Sequence, residues 1–364
     1  MAHRRHRTSY TDASTFRDCR LRWYFSVVLG LRPLREDMRL SFGTAIHAGL
    51  EAFYGWAVGP AADLLCDERL DATQQAFQVS MLRQLKRVPE ELKDDDYLQA
   101  WNEHMALGGA MLDRYCDYAA QHDDFQVLAT EHILRVPVLR PDGRATRGIF
   151  TAKIDMLVRT NDGRLWVWEN KTAASVISEF ALDMDDQITR YAWAVQQTRE
   201  EEVAGIYYNT LIKAVSRPKE PVGVSKKNPL GKMSIDRGQV TDLAAWEAMA
   251  RTHGIPVYDE QTDMPLPEYA EFMDWLGSQP DRFIHRHKTY RSQTELANTG
   301  LQMYDELLDM RLAVNRQRIY RSVSRDCEWK CPYKDLCRAT YDGDDCSYII
   351  DSQFTRPEER GTAA

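Results

Sequence analysis

The sequence predicts an α/β fold in which a mixed sheet is flanked by helices. Three segments rich in Val, Ile and Leu follow one another at 125–139, 148–159 and 165–171, and their composition is typical of strands. Pro-Asp-Gly and Asn-Asp-Gly turns separate them, so we expect consecutive antiparallel pairs. A helix over 184–198 and a strand over 203–211 then complete a mixed α/β core.

Helices are expected on both sides of this core. Apolar periodicity predicts a capped helix over 8–25 and a second helix over 41–56. Residues 63–118 are charged and predicted to be helical. The basic, Pro- and Gly-containing stretch 214–236 is expected to be a mobile loop, and residues 240–320 are expected to be mainly helical.

The overall composition excludes several classes of protein. The chain has 364 residues, a formal net charge of −8 and 43% hydrophobic residues, which is enough for a large core. Seven cysteines are too few for a secreted disulfide scaffold. The basic start lacks the apolar segment of a signal peptide, and no apolar run could span a bilayer. We therefore expect a soluble, cytoplasmic protein with no membrane partner.

Basic residues are concentrated toward the two ends of the chain. Residues 1–40 hold nine arginines against four acids, and residues 311–338 hold eight basic residues against three acids. If the ends meet, basic and aromatic side chains form one face that suits single-stranded nucleic acid. The residues predicted to contact nucleic acid are Arg20, Arg22, Trp23 and Tyr24.

Three charged residues interrupt the apolar strands of the second hairpin. Asp155 lies inside one strand, and Glu169 and Lys171 lie in the next, where residues i and i+2 share a face. Paired carboxylates suit Mg²⁺ or Mn²⁺. A neighbouring lysine can orient or help deprotonate an attacking water and offset phosphoryl charge. The alternative is an exposed edge strand whose charges face water.

Two nearby motifs add polar side chains. Gln187 and Tyr191 are four residues apart on a predicted helix, so they share a face and could both reach a phosphate or a metal-bound water. His47 lies on an otherwise apolar helix. Its alternative role is that of a core histidine whose hydrogen bonds are satisfied.

The segments GTAIHAGLE, AKIDMLV, WENKTA and QITRY resemble the motifs of PD-(D/E)xK nucleases of the RecB/AddB type, which include CRISPR-adaptation nucleases and phage exonucleases. The resemblance implies a restriction-endonuclease-like core and a Mg²⁺- or Mn²⁺-dependent DNA nuclease, an exonuclease acting on DNA ends or single strands. The implied metal ligands are His47, Asp155 and Glu169, and the implied catalytic residues are Asp155, Glu169, Lys171, Gln187 and Tyr191. The motif departs from the family at Asn170, where Asp or Tyr is more usual.

The cysteines provide a second signal. Cys327, Cys331 and Cys337 form a C-x₃-C-x₅-C run, and such spacing in a cytoplasmic protein favours metal or cluster binding over disulfides. Iron–sulfur clusters usually have four thiolate ligands, so a fourth is required. Cys19 is the best candidate because its surroundings are also basic and aromatic, and Cys346 is the competitor. Reduced structural cysteines are the remaining alternative.

The resembled family has an iron–sulfur branch with one cysteine before the histidine motif and three near the C-terminus. Cys19 and the C-terminal run match this arrangement, which implies a [4Fe–4S] cluster joining the two termini. Four-thiolate zinc is the alternative, and C-x₃-C departs from the commoner C-x₂-C. Cys66 and Cys116 are expected to be ordinary buried residues.

A single nuclease domain is expected over 1–350, followed by a disordered tail over 351–364. Its parts are a core at 41–215, a helical insertion at 61–124, a helical region at 236–320, and an iron–sulfur lobe from 8–40 and 320–346. The sequence has no P-loop, so any unwinding of DNA would come from a helicase or recombinase partner. The rival function is a non-catalytic DNA-binding or scaffold subunit of a recombination or replication complex.

Overall fold

The computed structural model describes residues 7–35, 37–55, 67–224, 228–259, 261–279 and 281–356. Cys66 and part of the predicted insertion therefore lie outside the described residues. The strands are Arg7–Thr8 (β1), Arg32–Pro33 (β2), Phe125–Leu139 (β3), Ala145–Thr160 (β4), Leu165–Ala173 (β5), Val203–Ile212 (β6), Ile284–Tyr290 (β7) and Phe354–Thr355 (β8).

Helices surround these strands. The α-helices are Tyr10–Asp18 (α1), Arg20–Trp23 (α2), Met38–Gly55 (α3), Asp67–Arg87 (α4), Asp95–His122 (α5), Glu179–Asp183 (α6), Asp186–Gln196 (α7), Leu243–Thr252 (α8), Pro267–Ser278 (α9), Gln293–Asn315 (α10), Asp326–Trp329 (α11), Lys334–Asp342 (α12) and Ser347–Gln353 (α13). Tyr24–Val28 forms a π-helical turn and Glu90–Leu92 a 3₁₀ turn. No helix among these described segments combines the length and apolarity that crossing a membrane requires.

The central sheet is mixed, as the sequence predicts. Its order is β3-β4-β5-β6-β7, and the short strand β1 pairs with the part of β4 that β5 does not reach. The pairs β3–β4, β4–β5 and β6–β7 are antiparallel, whereas β5–β6 and β1–β4 are parallel. Gly143 and Gly163 adopt positive φ angles in the two hairpin turns, a conformation that glycine adopts without a steric penalty.

Apolar side chains cover both faces of the sheet. One core cluster packs α3, α4 and α5 against Trp166 and Trp168 of β5. The opposite cluster packs α7 and α10 against Val167 of β5 and Ile206 of β6. Side chains alternate between faces along a strand, so β5 contributes to both clusters.

Two local predictions were wrong. The helix expected over 8–25 is interrupted at Cys19, whose backbone is extended. In the tail expected to be disordered over 351–364, α13 ends at Gln353 and β8 follows; residues 357–364 lie outside the described residues.

The helix expected over 184–198 is confirmed as α7, and Asp185 caps its start. The region 236–320 contains the helices α8, α9 and α10, together with strand β7, which pairs with β6.

The two ends of the chain pack together, as expected. Strand β2 pairs antiparallel with β8, and the ring of Phe354 stacks on that of Tyr333 at 5.1 Å between centroids. Tyr333 Oη donates to the carbonyl of Leu31 at 2.9 Å. These contacts hold the N- and C-terminal segments in one lobe.

Candidate functional site

The antiparallel pair β4–β5 brings the two predicted carboxylates together. Met156 pairs with Trp168 and Leu157 with Val167, so Asp155 and Glu169 occupy the next facing position. Asp155 is 8% exposed and Glu169 is 3% exposed. Both strands lie inside the sheet, and the alternative of charges on an exposed edge strand is therefore wrong.

His47 projects from α3 to this pair of strands. Its Nδ1 atom lies 3.2 Å from Asp155 Oδ1, so this histidine faces a carboxylate and does not simply fill the core. Burial disfavours its charged form, but the negative charge of Asp155 and their hydrogen bond raise the pKa of His47 to about 9. In the absence of a metal ion, His47 is therefore protonated at neutral pH.

A third carboxylate at this position was missed by the sequence interpretation. Glu131 of β3 lies between Thr130 and His132, whose partners on β4 are Met156 and Ile154, so it faces Asp155. Among the described residues, one group of three metal-ligating side chains has all its ligand atoms within 4.8 Å: His47, Glu131 and Asp155. Along the chain, Glu131 and Asp155 are separated from Gly143 by the same number of residues. Residues placed symmetrically about a hairpin turn face each other, so the sequence itself indicated this pairing.

Lys171 links the second carboxylate to the following helix. Its Nζ donates to Glu169 Oε1 at 2.5 Å and to Gln187 Oε1 at 3.0 Å. Gln187 Nε2 in turn donates to Tyr191 Oη at 3.0 Å. The structure therefore brings Gln187 and Tyr191 to the site on one face of α7, as their spacing predicts.

Burial and charge perturb the groups in this chain of hydrogen bonds. Burial, together with the negative charge of Asp155, raises the pKa of Glu169 to about 7. Burial disfavours the charged form of Lys171, but Glu169 outweighs it and raises the pKa of this lysine. Lys171 is consequently a cation in the metal-free protein.

The site has an acceptor atom without a donor. Glu169 Oε2 is buried and has no hydrogen-bond partner among the described residues. An unpaired carboxylate oxygen beside Asp155 is unfavourable in the interior unless a cation or donor satisfies it. The surplus of carboxylate oxygens, together with an imidazole, fits a divalent cation that prefers oxygen ligands. Glu169 itself lies outside the 4.8 Å group.

Asn170, between Glu169 and Lys171, links the site to a buried network on the other face of the sheet. Its main-chain N–H donates to Asp155 Oδ2 at 2.7 Å. Its side-chain Oδ1 accepts from Trp168 Nε1 at 2.9 Å and from Asn209 Nδ2 at 2.8 Å. Asn209 also donates to Tyr115 Oη at 3.0 Å. This residue, to which the sequence assigned no chemistry, ties both strands of the site together.

The four predicted cluster cysteines line one cavity of about 440 Å³. Their thiols do not form a compact ligand group, since within the described chain no three cysteine sulfurs lie within 4.8 Å of one another. Arg22 and Arg321 line the same cavity, and Cys346 does not. Cys116 is buried, as expected. The ligand set of the cysteines remains a prediction.

The side chains predicted to contact nucleic acid differ in how far they are buried in the terminal lobe. Trp23 is 5% exposed and its ring packs on Phe16 at 5.0 Å, so Trp23 offers no free face for a base and that prediction was wrong. The guanidinium of Arg20 lies 4.9 Å from the rings of Phe16 and Tyr320. Tyr24 is half-buried between the two apolar clusters of the terminal lobe. Packing within the lobe, which sequence cannot show, occupies these side chains.

A comparison with models of protein families finds a match. The family model of the PD-(D/E)XK nuclease superfamily matches residues 7–338. This range includes every residue of the carboxylate site and the three cysteines of the C-terminal run. A search of curated proteins finds no match for the chain.

Proposed function

The chain belongs to the PD-(D/E)XK nuclease superfamily, and from this we propose that it is a metal-dependent deoxyribonuclease. Its substrate in this proposal is DNA, cleaved as an exonuclease at ends or in single strands with Mg²⁺ or Mn²⁺. The observation that carries the proposal is the facing pair Asp155 and Glu169, with Lys171 held beside Glu169 at 2.5 Å. A buried carboxylate pair next to an ammonium suits the charge that develops during phosphodiester hydrolysis.

His47, Asp155 and Glu169 would hold the cation. A divalent ion bound there would polarise a phosphoryl oxygen and lower the pKa of a water molecule. The unpaired Glu169 Oε2 supports this assignment, because that atom has the donor chemistry that the ion requires. The main-chain N–H of Asn170 holds Asp155 in place, so its carboxylate is oriented before any ligand arrives.

Lys171 acts as a cationic donor in this proposal. Its raised pKa keeps the ammonium charged at neutral pH, so it is suited to orient a nucleophilic water and offset negative charge, not to remove a proton. Gln187 Oε1 fixes the direction of the ammonium at 3.0 Å. Two of its three protons are thereby directed, and the third remains for water or a phosphate oxygen.

Gln187 and Tyr191 complete the arrangement. Tyr191 is half-buried. Burial is the larger cause and the negative charge of Glu169 the smaller one, and together they raise the pKa of Tyr191 to about 12. The phenol therefore stays protonated and can donate to a phosphate oxygen or a water. Both side chains would position substrate without changing their own charge.

We assign a [4Fe–4S] cluster to Cys19, Cys327, Cys331 and Cys337, which share one cavity with Arg22 and Arg321. Those arginines offset the negative charge of four thiolates. A zinc ion would need its four sulfurs about 3.8 Å apart, because Zn–S bonds are about 2.3 Å, and the thiols lack such spacing. Ligands of a four-iron cluster bind different iron atoms, so their sulfurs lie farther apart.

Exposed aromatic residues on the terminal lobe support contact with single-stranded DNA. Trp329 is 80% exposed and Tyr320 is 54% exposed, and Lys330 follows Trp329 directly. Such aromatic residues can stack on bases while the cations contact phosphates. A helicase or recombinase partner remains a further part of the proposal.

A cleavage assay tests the function directly. End-labelled single- and double-stranded DNA is incubated with the full chain and Mg²⁺, Mn²⁺ or EDTA. We expect products with either metal and none with EDTA. DNA binding without cleavage under all metal conditions would instead support the non-catalytic scaffold function.

A further inference from the structure

The carboxylate of Glu131 is held inside the site from a third strand. Glu131 faces Asp155 across β3 and β4, and its side chain is only 8% exposed. Its Oε1 lies 3.9 Å from His47 Nδ1, which lies 3.2 Å from Asp155 Oδ1. Three potential metal-ligating side chains, from α3, β3 and β4, therefore lie close together.

The backbone at Glu131 is strained in a way that its strand does not require. Its φ angle is 46°, in the left-handed region that is uncommon for residues other than glycine. Such a conformation costs about 1 kcal/mol or more and persists where the surroundings enforce it, often at functional sites. Here it occurs at the one strand residue whose carboxylate joins the His47–Asp155 group.

Lys153 is the cation that neutralises Glu131 in the metal-free protein. It precedes Asp155 by two residues on β4, and its Nζ contacts Glu131 Oε2. The side chain of Lys153 is 59% exposed, in contrast to the buried carboxylate. A long, largely solvated lysine can leave such a contact without breaking other interactions.

We propose that Glu131 is a further ligand of the cation held by His47 and Asp155, and that Lys153 and this cation compete for Glu131. When the cation binds, Lys153 is displaced toward solvent. The inference rests on the proposed function only in assuming that the site binds a divalent metal ion.

Calorimetric titration of the full chain with Mn²⁺ alone tests the ligand assignment. We expect E131Q to weaken Mn²⁺ binding about tenfold or more, the range in which loss of an interaction at a metal site falls. K153M should bind Mn²⁺ a few-fold more tightly than the wild type, because the competing cation is gone. D142N is the matched control, since Asp142 is an exposed carboxylate at the tip of the β3–β4 hairpin, and it should bind like the wild type.

A stability measurement separates this role from a structural one. E131G removes the carboxylate and relieves the left-handed backbone, so we expect its free energy of unfolding to equal or exceed that of the wild type while Mn²⁺ binding falls. Wild-type Mn²⁺ affinity in E131Q, or no Mn²⁺ binding by the wild type, would overturn the inference. Unchanged or weaker Mn²⁺ binding by K153M would overturn the proposed competition between Lys153 and the cation.

The DNA assay is independent of these titrations. If Mn²⁺ binding depends on Glu131 but the chain cleaves no DNA, the proposed nuclease function fails and the ligand assignment holds. If DNA is cleaved but E131Q binds Mn²⁺ normally, the ligand assignment fails and the nuclease function holds.

Discussion

Asp155 on β4 accepts a hydrogen bond from the main-chain N–H of Asn170 on β5, with 2.7 Å between N and Oδ2. The two strands of the site are therefore joined at the residue between Glu169 and Lys171. Because the Asn170 side chain enters the opposite core, where it accepts from Trp168 and Asn209, packing on one face of the sheet sets the geometry of the other.

Asn170→Ala should therefore weaken both stability and cleavage. The substitution leaves the indole N–H of Trp168 buried without an acceptor, which costs about 1–3 kcal/mol, and the side-chain nitrogen of Asn209 keeps only its hydrogen bond to Tyr115 Oη. At a temperature where the variant is folded, we expect its DNA cleavage rate to fall about tenfold or more because the carboxylates are misplaced. Urea unfolding and a single-turnover cleavage assay measure the two effects. Asn161→Ala, in an exposed turn, is the matched control, and unchanged cleavage by Asn170→Ala would contradict the positioning role.

Replacing either facing carboxylate should abolish metal-dependent cleavage. Asp155→Ala and Glu169→Ala each remove oxygen ligands, and the loss of several kcal/mol of charge stabilisation corresponds to a rate reduction of about 10³-fold. Circular dichroism should show a retained fold and an iron assay a retained cluster. Asp142→Ala, at the exposed tip of the β3–β4 hairpin, serves as the control. Full activity in either site variant would end the nuclease hypothesis.

His47 should make the stability of the metal-free protein depend on pH. Its folded pKa of about 9 lies above the ordinary value of 6.5, so protonation stabilises the folded state. This contribution is fully present below pH 6.5 and is lost as pH rises through 9. We expect the free energy of unfolding in EDTA to fall over this range by on the order of 3 kcal/mol.

Urea unfolding at a series of pH values checks this dependence. His47→Gln should lack the contribution of His47 protonation to stability. Its free energy of unfolding should therefore change less between pH 6.5 and 9 than that of the wild type. Saturating Mn²⁺ should also flatten the wild-type profile, because metal ligation requires the neutral imidazole. Parallel profiles for the wild type and His47→Gln would show that the proton on His47 does not contribute.

Arg286→Met should destabilise the fold. Arg286 Nη2 lies 2.6 Å from Asp123 Oδ1, and the two side chains are 8% and 2% exposed. Removing one partner leaves a buried charge uncompensated, which costs about 3–5 kcal/mol. Urea unfolding should show this loss, and Asp123→Asn in the same chain should recover part of it. Arg144→Met, at the exposed hairpin turn, should unfold like the wild type.

The cysteine assignment predicts which thiols retain iron. After anaerobic purification, we expect the wild type to be brown and to contain iron, and Cys19→Ser and Cys331→Ser to lose most of it, since four thiolates hold such a cluster. Cys116→Ala should retain iron, because Cys116 is buried in the core between α4 and α5. Zinc without iron in the wild type would favour the four-thiolate zinc alternative.

Much of the sheet was predictable from local sequence. The strand expected over 125–139 coincides with β3, and the turns at Gly143 and Gly163 set its pairing with β4 and the pairing of β4 with β5. Strand β7 was missed because its sequence, Ile-His-Arg-His-Lys-Thr-Tyr, lacks an apolar alternation. It is a strand because the exposed edge of β6 supplies its hydrogen-bond partners, which is a tertiary cause.

The sequence by itself determined the hairpin carboxylates, the lysine two residues beyond Glu169 and the helix face of Gln187 and Tyr191, because strand alternation and helical periodicity act over a few residues. Only the tertiary structure decided that Glu131 joins the site, that Asn170 anchors it and that Trp23 is buried. Those outcomes depend on which surfaces of distant elements pack together, and the helical or strand periodicity of the sequence does not predict that packing.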